Sequence, residues 1–308
     1  MIYDTIIIGG GPGGVAAGIY AARKRLRTLF ITKEWGGQSN VSENIQNWIG
    51  TPSLSGSDLA QRFKEHLESY KGEWLDIREG LWVSAIHKKT DDIFEVVTGK
   101  DVFLGKTILI AAGSSRRKLE VPGAAQFENK GVTYCASCDG LLFSGLDVAV
   151  VGGGNAGMES AAQLLAYCKS VTLITHGPIR ADAVTVERIK ANPHFHNIEN
   201  ADITEITGNN LVTGITYQIK GSDTPIQLPV RGVFVEIGLV PNTTFVKDLV
   251  TLDTFNRIVV DPRTQRTSVA GIWAAGDCTD GLFHQNNIAA GDAVKALEDL
   301  YLYTKLHH

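Results

Sequence analysis

The sequence predicts an α/β fold in which one βαβ-containing domain is inserted into another, and three observations carry the prediction. The pattern Gly9-x-Gly11-x-x-Gly14 stands between a β-rich run and an alanine-rich helix, and the same order returns at Gly152-x-Gly154-x-x-Gly157. A late apolar run from Ile272 to Ala275 ends in Gly276-Asp277 without a fingerprint of its own, so it returns to the first domain rather than opening a third. At 308 residues the chain is long enough for two domains of ordinary size, each with its own core.

Taken in order, residues 5–8 read as a strand, 9–14 as a tight turn, 15–25 as a helix and 28–31 as the next strand. Ser55 and Asp58 have capping-box spacing ahead of Leu59, Phe63 and Leu67, which recur at helical period as far as Tyr70. Between Leu81 and Ala111, short β-rich runs alternate with turns at 89–92, 99–101 and 105–106, the pattern of a β-meander. After Val121-Pro122-Gly123 the order restarts with a strand at 147–151, a turn at 152–157, a helix at 158–167 and a strand at 171–174. Runs at 212–219 and 232–236 complete this domain, and a last helix is expected over 287–305. Both domains are expected to be Rossmann-like three-layer ββα nucleotide-binding folds, the first made of 1–114 and 245–308 and the inserted second of 115–244.

Composition narrows the function. The 29 basic residues stand against 33 acidic ones for a net charge of −4, with no basic block to track a phosphate backbone, so nucleic acid is not an expected partner. Residues 1–4 run directly into the first strand without a basic leader, and no long apolar span follows, so a cytoplasmic protein with no membrane partner is expected. Of four cysteines, Cys168 and Cys278 are isolated, which excludes a disulfide-stapled scaffold and leaves Cys135 and Cys138 to be explained.

In the first fingerprint Gly9 permits the tight turn, Gly11 lets backbone amides approach a pyrophosphate, and Gly14 allows the helix to pack closely on the strand. Glu34, near the end of the second strand, is the candidate for the ribose hydroxyls. Cys135 and Cys138 lie one turn apart if Cys138 begins a helix, close enough for a disulfide, and Asp139 next to them could hold or deliver a proton. A zinc site would need four ligands, and the remaining candidates, two isolated cysteines with His194 and His196, lack finger-like spacing.

These motifs, with Gly36-Gly37-Gln38, Asn47-Trp48, Ala111-Ala112-Gly113 and Ala274-Ala275-Gly276-Asp277, closely resemble the low-molecular-weight thioredoxin reductase family of flavoprotein disulfide reductases over essentially the whole chain. The resemblance implies FAD in the first domain, bound through Gly9, Gly11, Pro12, Gly14, Glu34, Gly37, Gln38, Asn47, Ile86, Ala112, Gly113, Gly276, Asp277, His284, Gln285 and Asn286. Within that set it implies Asp277 on the ribityl chain and Gln285 near the isoalloxazine. It further implies that Cys138 faces the flavin, that Cys135 attacks the disulfide of thioredoxin or a similar dithiol protein, and that Asp139 is the acid. Family members are generally homodimers whose inserted domain rotates.

The donor site departs from the family pattern. A 2′-phosphate is normally met by a His-Arg-Arg run and a further arginine, whereas residues 175–182 read Thr-His-Gly-Pro-Ile-Arg-Ala-Asp, so only Arg180 matches. That argues against NADPH. Gly152, Gly154, Asn155, Gly157 and Arg180 remain as a possible second nucleotide site, and residues 236–242 resemble the NADH-using alkyl hydroperoxide reductase flavoproteins. Thr175, however, stands where an NAD site wants a carboxylate. A ferredoxin-type donor, as in relatives that have lost nicotinamide binding, is the third possibility. Alternative functions are an NADH-dependent reductase of a peroxiredoxin system and, from another class, a flavin-bound redox sensor or scaffold. Cys278 has a redox reading beside its reading as buried packing.

Overall fold

The computed structural model describes the chain except Glu43, Asn44, Asp91 and His308, and except the side chains of Val41, Ser137, Cys138 and His307. The chain divides into two compact units, Met1–Ser115 with Val240–His308, and Arg116–Leu239. Each has the α/β character expected from the repeated βαβ pattern.

In the first unit, strands Leu75–Glu79, Thr28–Trp35, Ile2–Gly10 and Asp101–Ile110 lie parallel in that order. The last of these serves two further neighbours. Its first half pairs antiparallel with Ile93–Thr98, itself paired with Ala85–Thr90, while its second half pairs parallel with Ile272–Ala274. The sheet thus divides into two β-layers. Gly105 lies inside this strand, and a Cβ there would come within 2.8 Å of Ile6 Cγ1. The expected turn at 105–106 is therefore a continuous strand whose glycine makes room for packing.

Because side chains alternate along a strand, the central strands feed two cores. Ile7, Phe30, Leu109 and Trp273 bury against helices Pro12–Arg23, Gly56–Glu68 and Asn286–His307. Ile6, Ile8, Leu29, Ile31 and Ile108 bury against Ile86, Phe94 and Val96 of the meander. With each fully buried aliphatic side chain contributing roughly 1.5–3 kcal/mol, the alternation stabilises both layers at once.

The second unit repeats the scheme. Strands Phe195–Ile198, Ser170–Ile174, Asp147–Val151, Gly232–Val235 and Val132–Thr133 form a parallel sheet in that order. Val148, Val150, Leu173 and Phe234 pack with Met158, Leu164 and Ile189, which come from helices Asn155–Leu164 and Ala183–Lys190. Ala149, Val151, Ile174 and Val233 pack with Ile206, Ile215 and Tyr217 of an antiparallel sheet of Ala201–Gly208, Val212–Ile219 and Pro225–Leu228.

Both fingerprint helices start earlier than the sequence suggests, at Pro12 and Asn155. Gly11 and Gly154 are extended N-caps with ψ of −176° and −177°, so the turn ends there and the remaining glycine lies inside the helix. Among the described residues no helix is long and apolar enough to cross a membrane.

Candidate functional site

In the first unit a cleft opens at the carboxyl ends of the parallel strands. Gly9 has φ +122°, and a Cβ there would strike the Ala111 carbonyl, while one at Gly14 would strike the Gly9 carbonyl. Backbone meets backbone at both positions, so only glycine fits. Around Gly11, by contrast, a Cβ would meet nothing within 4 Å, because that residue faces the cleft. Pro12 starts the helix with its ring at a position that has no intrahelical N–H to lose, and the first-turn amides supply the positive end suited to a pyrophosphate.

Gly9, Gly11, Pro12, Glu34, Gly37, Gln38, Ala112, Gly113, Gly276, Asp277 and Asn286 line this cleft. A second depression, lined by Asn47, His284 and Gln285, adjoins it through the shared residues Gln38, Ser39, Asp277 and Asn286. Together they form an elongated groove, the shape an extended dinucleotide needs. Its far wall is hydrogen-bonded: Gln38 Nε2 donates to Ser114 O at 3.1 Å, Ser39 Oγ to Asn286 Oδ1 at 2.8 Å, and Asn47 Nδ2 to Gln285 Oε1 at 3.0 Å. His284 Nδ1 stands 3.4 Å from Asp277 Oδ1 and has no hydrogen-bond partner.

Two sequence-assigned positions lie elsewhere. Gly14 sits behind the wall as helix packing, and Ile86, 4 % exposed, is part of the core under the meander, its apolar side chain turned to Phe94 and Val96. Leu81, Trp82 and Val83 take the cleft position instead, with Lys33 Nζ 5.3 Å from the centroid of the half-exposed Trp82 ring. Sequence reasoning also missed Ser114, whose buried Oγ lines the cleft without a hydrogen-bond partner. A buried hydroxyl left in this state is completed by a polar ligand, so the groove fits FAD on its own chemistry.

Cys278, next to Asp277, is fully buried, and burial pushes its thiol pKa up to about 11. Its Sγ lies 3.4 Å from Ala275 O, as a packed thiol rather than a nucleophile. Burial likewise raises the Cys168 thiol to about 11.

In the second unit Cys135 is disulfide-bonded, whereas Cys168 and Cys278 are free. Cys138 is not at the start of a helix, the condition on which the sequence placed it one turn from Cys135. It lies within a single turn, Ala136–Asp139, followed by a 3-10 turn Gly140–Phe143. Gly140 fixes this geometry, since a Cβ there would collide with the Tyr167 hydroxyl. Thr133, missed in the sequence, organises the turn: its hydroxyl donates to Asp139 Oδ2 and accepts from the Cys135 N–H at 3.3 Å. The Asp139 carboxylate and the Cys135 backbone are therefore tied to one buried threonine.

The second glycine cradle copies the backbone of the first. A Cβ at Gly152, where φ is +129°, would strike the Glu236 carbonyl, one at Gly157 would strike the Gly152 carbonyl, and Gly154 has nothing within 4 Å. Gly152, Gly154 and Arg180 line a cavity here, and the Arg180 N–H donates to Gly153 O at 2.8 Å. Asn155 lies outside it, its Oδ1 accepting the Asp182 N–H at 2.9 Å as a brace for the loop. Thr175 needs correction too. Thr32 packs on Gly10 as Thr175 packs on Gly153, and each hydroxyl donates to the carbonyl two residues on, Glu34 and Gly177. The counterpart of Glu34 is thus Gly177, whereas Thr175 is 2 % exposed and structural.

Two dinucleotide-type cradles in separate units, one accompanied by a disulfide turn with an adjacent carboxylate, define an oxidoreductase of the two-domain dinucleotide-binding class. The sequence profile of the pyridine nucleotide-disulphide oxidoreductase family matches residues 3–293, and the chain belongs to that family. It is 38 % identical over 296 residues to an NADH dehydrogenase of Bacillus subtilis, covering 96 % of this chain and 57 % of that protein. It is 39 % identical over 302 residues to an alkyl hydroperoxide reductase component of Staphylococcus aureus, covering 98 % and 59 %. The chain therefore spans less than two thirds of these relatives. Among solved structures it is similar to the thioredoxin reductase of Lactococcus lactis, with TM-score 0.87, 31 % identity and 99 % of both chains covered. The thioredoxin reductase of T. acidophilum gives 0.83 and 37 %, with 100 % of this chain and 99 % of that one covered.

Proposed function

We propose that the protein is an FAD-dependent disulfide reductase that draws electrons from NADH and passes them through the Cys135/Cys138 pair to thioredoxin or a similar protein disulfide. The observation that carries this reading is the disulfide-bonded Cys135 in a turn where Thr133 holds Asp139, within a unit whose glycine cradle is open at Gly154. Likeness to thioredoxin reductases over the whole chain supports the disulfide chemistry, and the NADH dehydrogenase relative supports the donor.

Residues of the first groove would hold FAD: first-turn amides after Gly11 at the pyrophosphate, Glu34 at the adenosine ribose, Asp277 at the ribityl chain, and His284, Gln285 and Asn47 at the ring end. FAD, when bound, accepts two electrons from a nicotinamide and yields them to a disulfide. In the reduced pair the Cys135 thiolate attacks one sulfur of the partner disulfide, forming a mixed disulfide and releasing one partner thiolate. Cys138 then attacks the Cys135 sulfur, which releases the second partner thiolate and restores the Cys135–Cys138 disulfide. Asp139, oriented by Thr133, delivers a proton to a leaving thiolate. The thioredoxin reductase resemblance also supports a cytoplasmic homodimer.

Anaerobic mixing of the oxidised protein with NADH, NADPH or reduced ferredoxin, followed by thioredoxin, tests the scheme. NADH should bleach the flavin promptly and thioredoxin should recolour it; bleaching by ferredoxin alone would overturn the donor. A second reading, reductase of a peroxiredoxin system, is favoured by the likeness to the alkyl hydroperoxide reductase component. Assays on isolated thioredoxin-like and glutaredoxin-like carriers separate the two.

A further inference from the structure

The second cradle has glycine where the first has Glu34, yet its cavity does hold a carboxylate, brought by a different strand. Asp202 lines the same cavity as Gly154 and His176. It is placed there by the preceding residue, whose N–H donates to Thr175 O at 2.9 Å and so ties the start of Ala201–Gly208 to the end of Ser170–Ile174. Asp202 Oδ1 contacts His176 Nδ1, and on the other side of the ring Lys220 Nζ stands 2.8 Å from Nε2. An ammonium can only donate, so Nε2 accepts and the ring proton sits on Nδ1, directed at Asp202. Lys220 is itself anchored, its N–H donating to Asn200 O at 2.8 Å. The Lys220–His176 pair thus contacts one oxygen of this half-exposed carboxylate, and no hydrogen bond among the described residues engages Asp202 Oδ2.

We propose that Asp202 is the specificity-determining residue of this site, accepting the adenosine ribose hydroxyls of NADH and disfavouring the 2′-phosphate of NADPH. A carboxylate that can accept from ribose hydroxyls is how dinucleotide folds select the unphosphorylated cofactor, and a phosphate dianion brought beside it is repelled. Nearby positive charge does not cancel this. Lys220 keeps its charge but does not line the cavity, and Arg180 is the one guanidinium among the described residues on its wall, short of the paired forks a 2′-phosphate is usually given. The proposal rests on the NADH reading above.

Isothermal titration of the oxidised holoprotein with NAD⁺ and with NADP⁺ tests it without turnover. Wild-type protein should bind NAD⁺ more tightly. Asp202→Asn should lower NAD⁺ affinity about tenfold while leaving NADP⁺ unchanged or improved, as expected for loss of a charge-assisted bond, and Asp202→Glu should keep the preference. Asp202 is half exposed, so flavin occupancy and melting temperature should not change in either variant. If NADH reduces the wild-type flavin but Asp202→Asn keeps the full NAD⁺ preference, the Asp202 assignment alone is overturned. If the wild-type protein binds neither nucleotide, the donor reading falls and the assignment falls with it.

Discussion

At the first cradle Gly9 backs onto Ala111 and Glu34 reaches the cavity from the neighbouring strand; at the second, Gly152 backs onto Glu236 and the position matching Glu34 is Gly177. The backbones are near copies, down to the N-caps with ψ near 180° and the two glycines that only a bare Cα can fill. What differs is where the carboxylates stand. The first unit places one in the cavity and an alanine behind the turn. The second places a partly buried one behind the turn, where Ser160 Oγ donates to Glu236 at 2.8 Å and Arg116 Nη1 lies 3.2 Å away, and recruits its cavity carboxylate from Ala201–Gly208. The backbone geometry is thus shared by the two cradles, while the side chains brought to each cavity from outside the motif differ.

The strongest way to break the comparison is to fill the tightest contacts. Gly14→Ala and Gly157→Ala each drive a methyl into a carbonyl, so each should cost several kcal/mol in its own unit. Gly14→Ala should lose FAD on purification, whereas Gly157→Ala should retain FAD and lose nicotinamide binding, as read by flavin absorbance and nucleotide titration. Equal loss of FAD in both variants would mean the cradles are not independent.

Gly11→Ala and Gly154→Ala sharpen it in the opposite sense. Both methyls point into open space, so melting should shift by no more than about 0.5 kcal/mol, yet each methyl enters the room a pyrophosphate needs. Ligand affinity should fall by at least about tenfold with stability intact, and thermal melts with and without added nucleotide distinguish this from misfolding.

Glu34→Gln should weaken FAD retention about tenfold through loss of a charge-assisted bond and leave NAD⁺ binding unchanged, measured by equilibrium dialysis of the flavin. The smallest effect concerns Glu236. Burial raises its carboxyl above the ordinary value of 4.5, against the pull of Arg116. A raised folded-state value means the group contributes stability below the unfolded value and loses it as pH climbs through the folded one. Wild-type stability should therefore decline over that window, and Glu236→Gln should flatten the decline in denaturant melts.

The fold class was legible because glycine spacing records backbone collisions, and the alternating apolar strands record two buried faces. Strand Leu75–Glu79 was missed because it is a short edge strand with charged residues at Asp76, Arg78 and Glu79 and one fully buried side chain, Leu75. In the candidate site, the cavity-lining positions of the glycine motifs, Gly9, Gly11, Gly152 and Gly154, were readable, whereas Gly14 and Asn155 in the same motifs lie outside the cavities. Ser114, Trp82 and Asp202 were not readable, since each reaches its place through strand pairing or loop return between segments remote in sequence, and Thr133, though only two residues before Cys135, stands outside the motif. Ile86 shows the converse: an apolar residue on a strand near the cleft belongs to whichever face the two-residue period assigns it, and here that face is the core. Thr175 misled for a register reason, two residues short of the position that matches Glu34.

Strand Asp101–Ile110, shared between the meander and Ile272–Ala274, has a consequence for biosynthesis. Its second half gains its outer partner only when residues near the end of the chain have left the ribosome, whereas the unit Arg116–Leu239 is contiguous and can close earlier. Contacts so distant in sequence close slowly. Trp273, 1 % exposed and edge-on to Tyr303 at 5.4 Å, is buried only when that last strand and the final helix dock. Its fluorescence would mark the moment at which a nascent chain acquires its flavin groove.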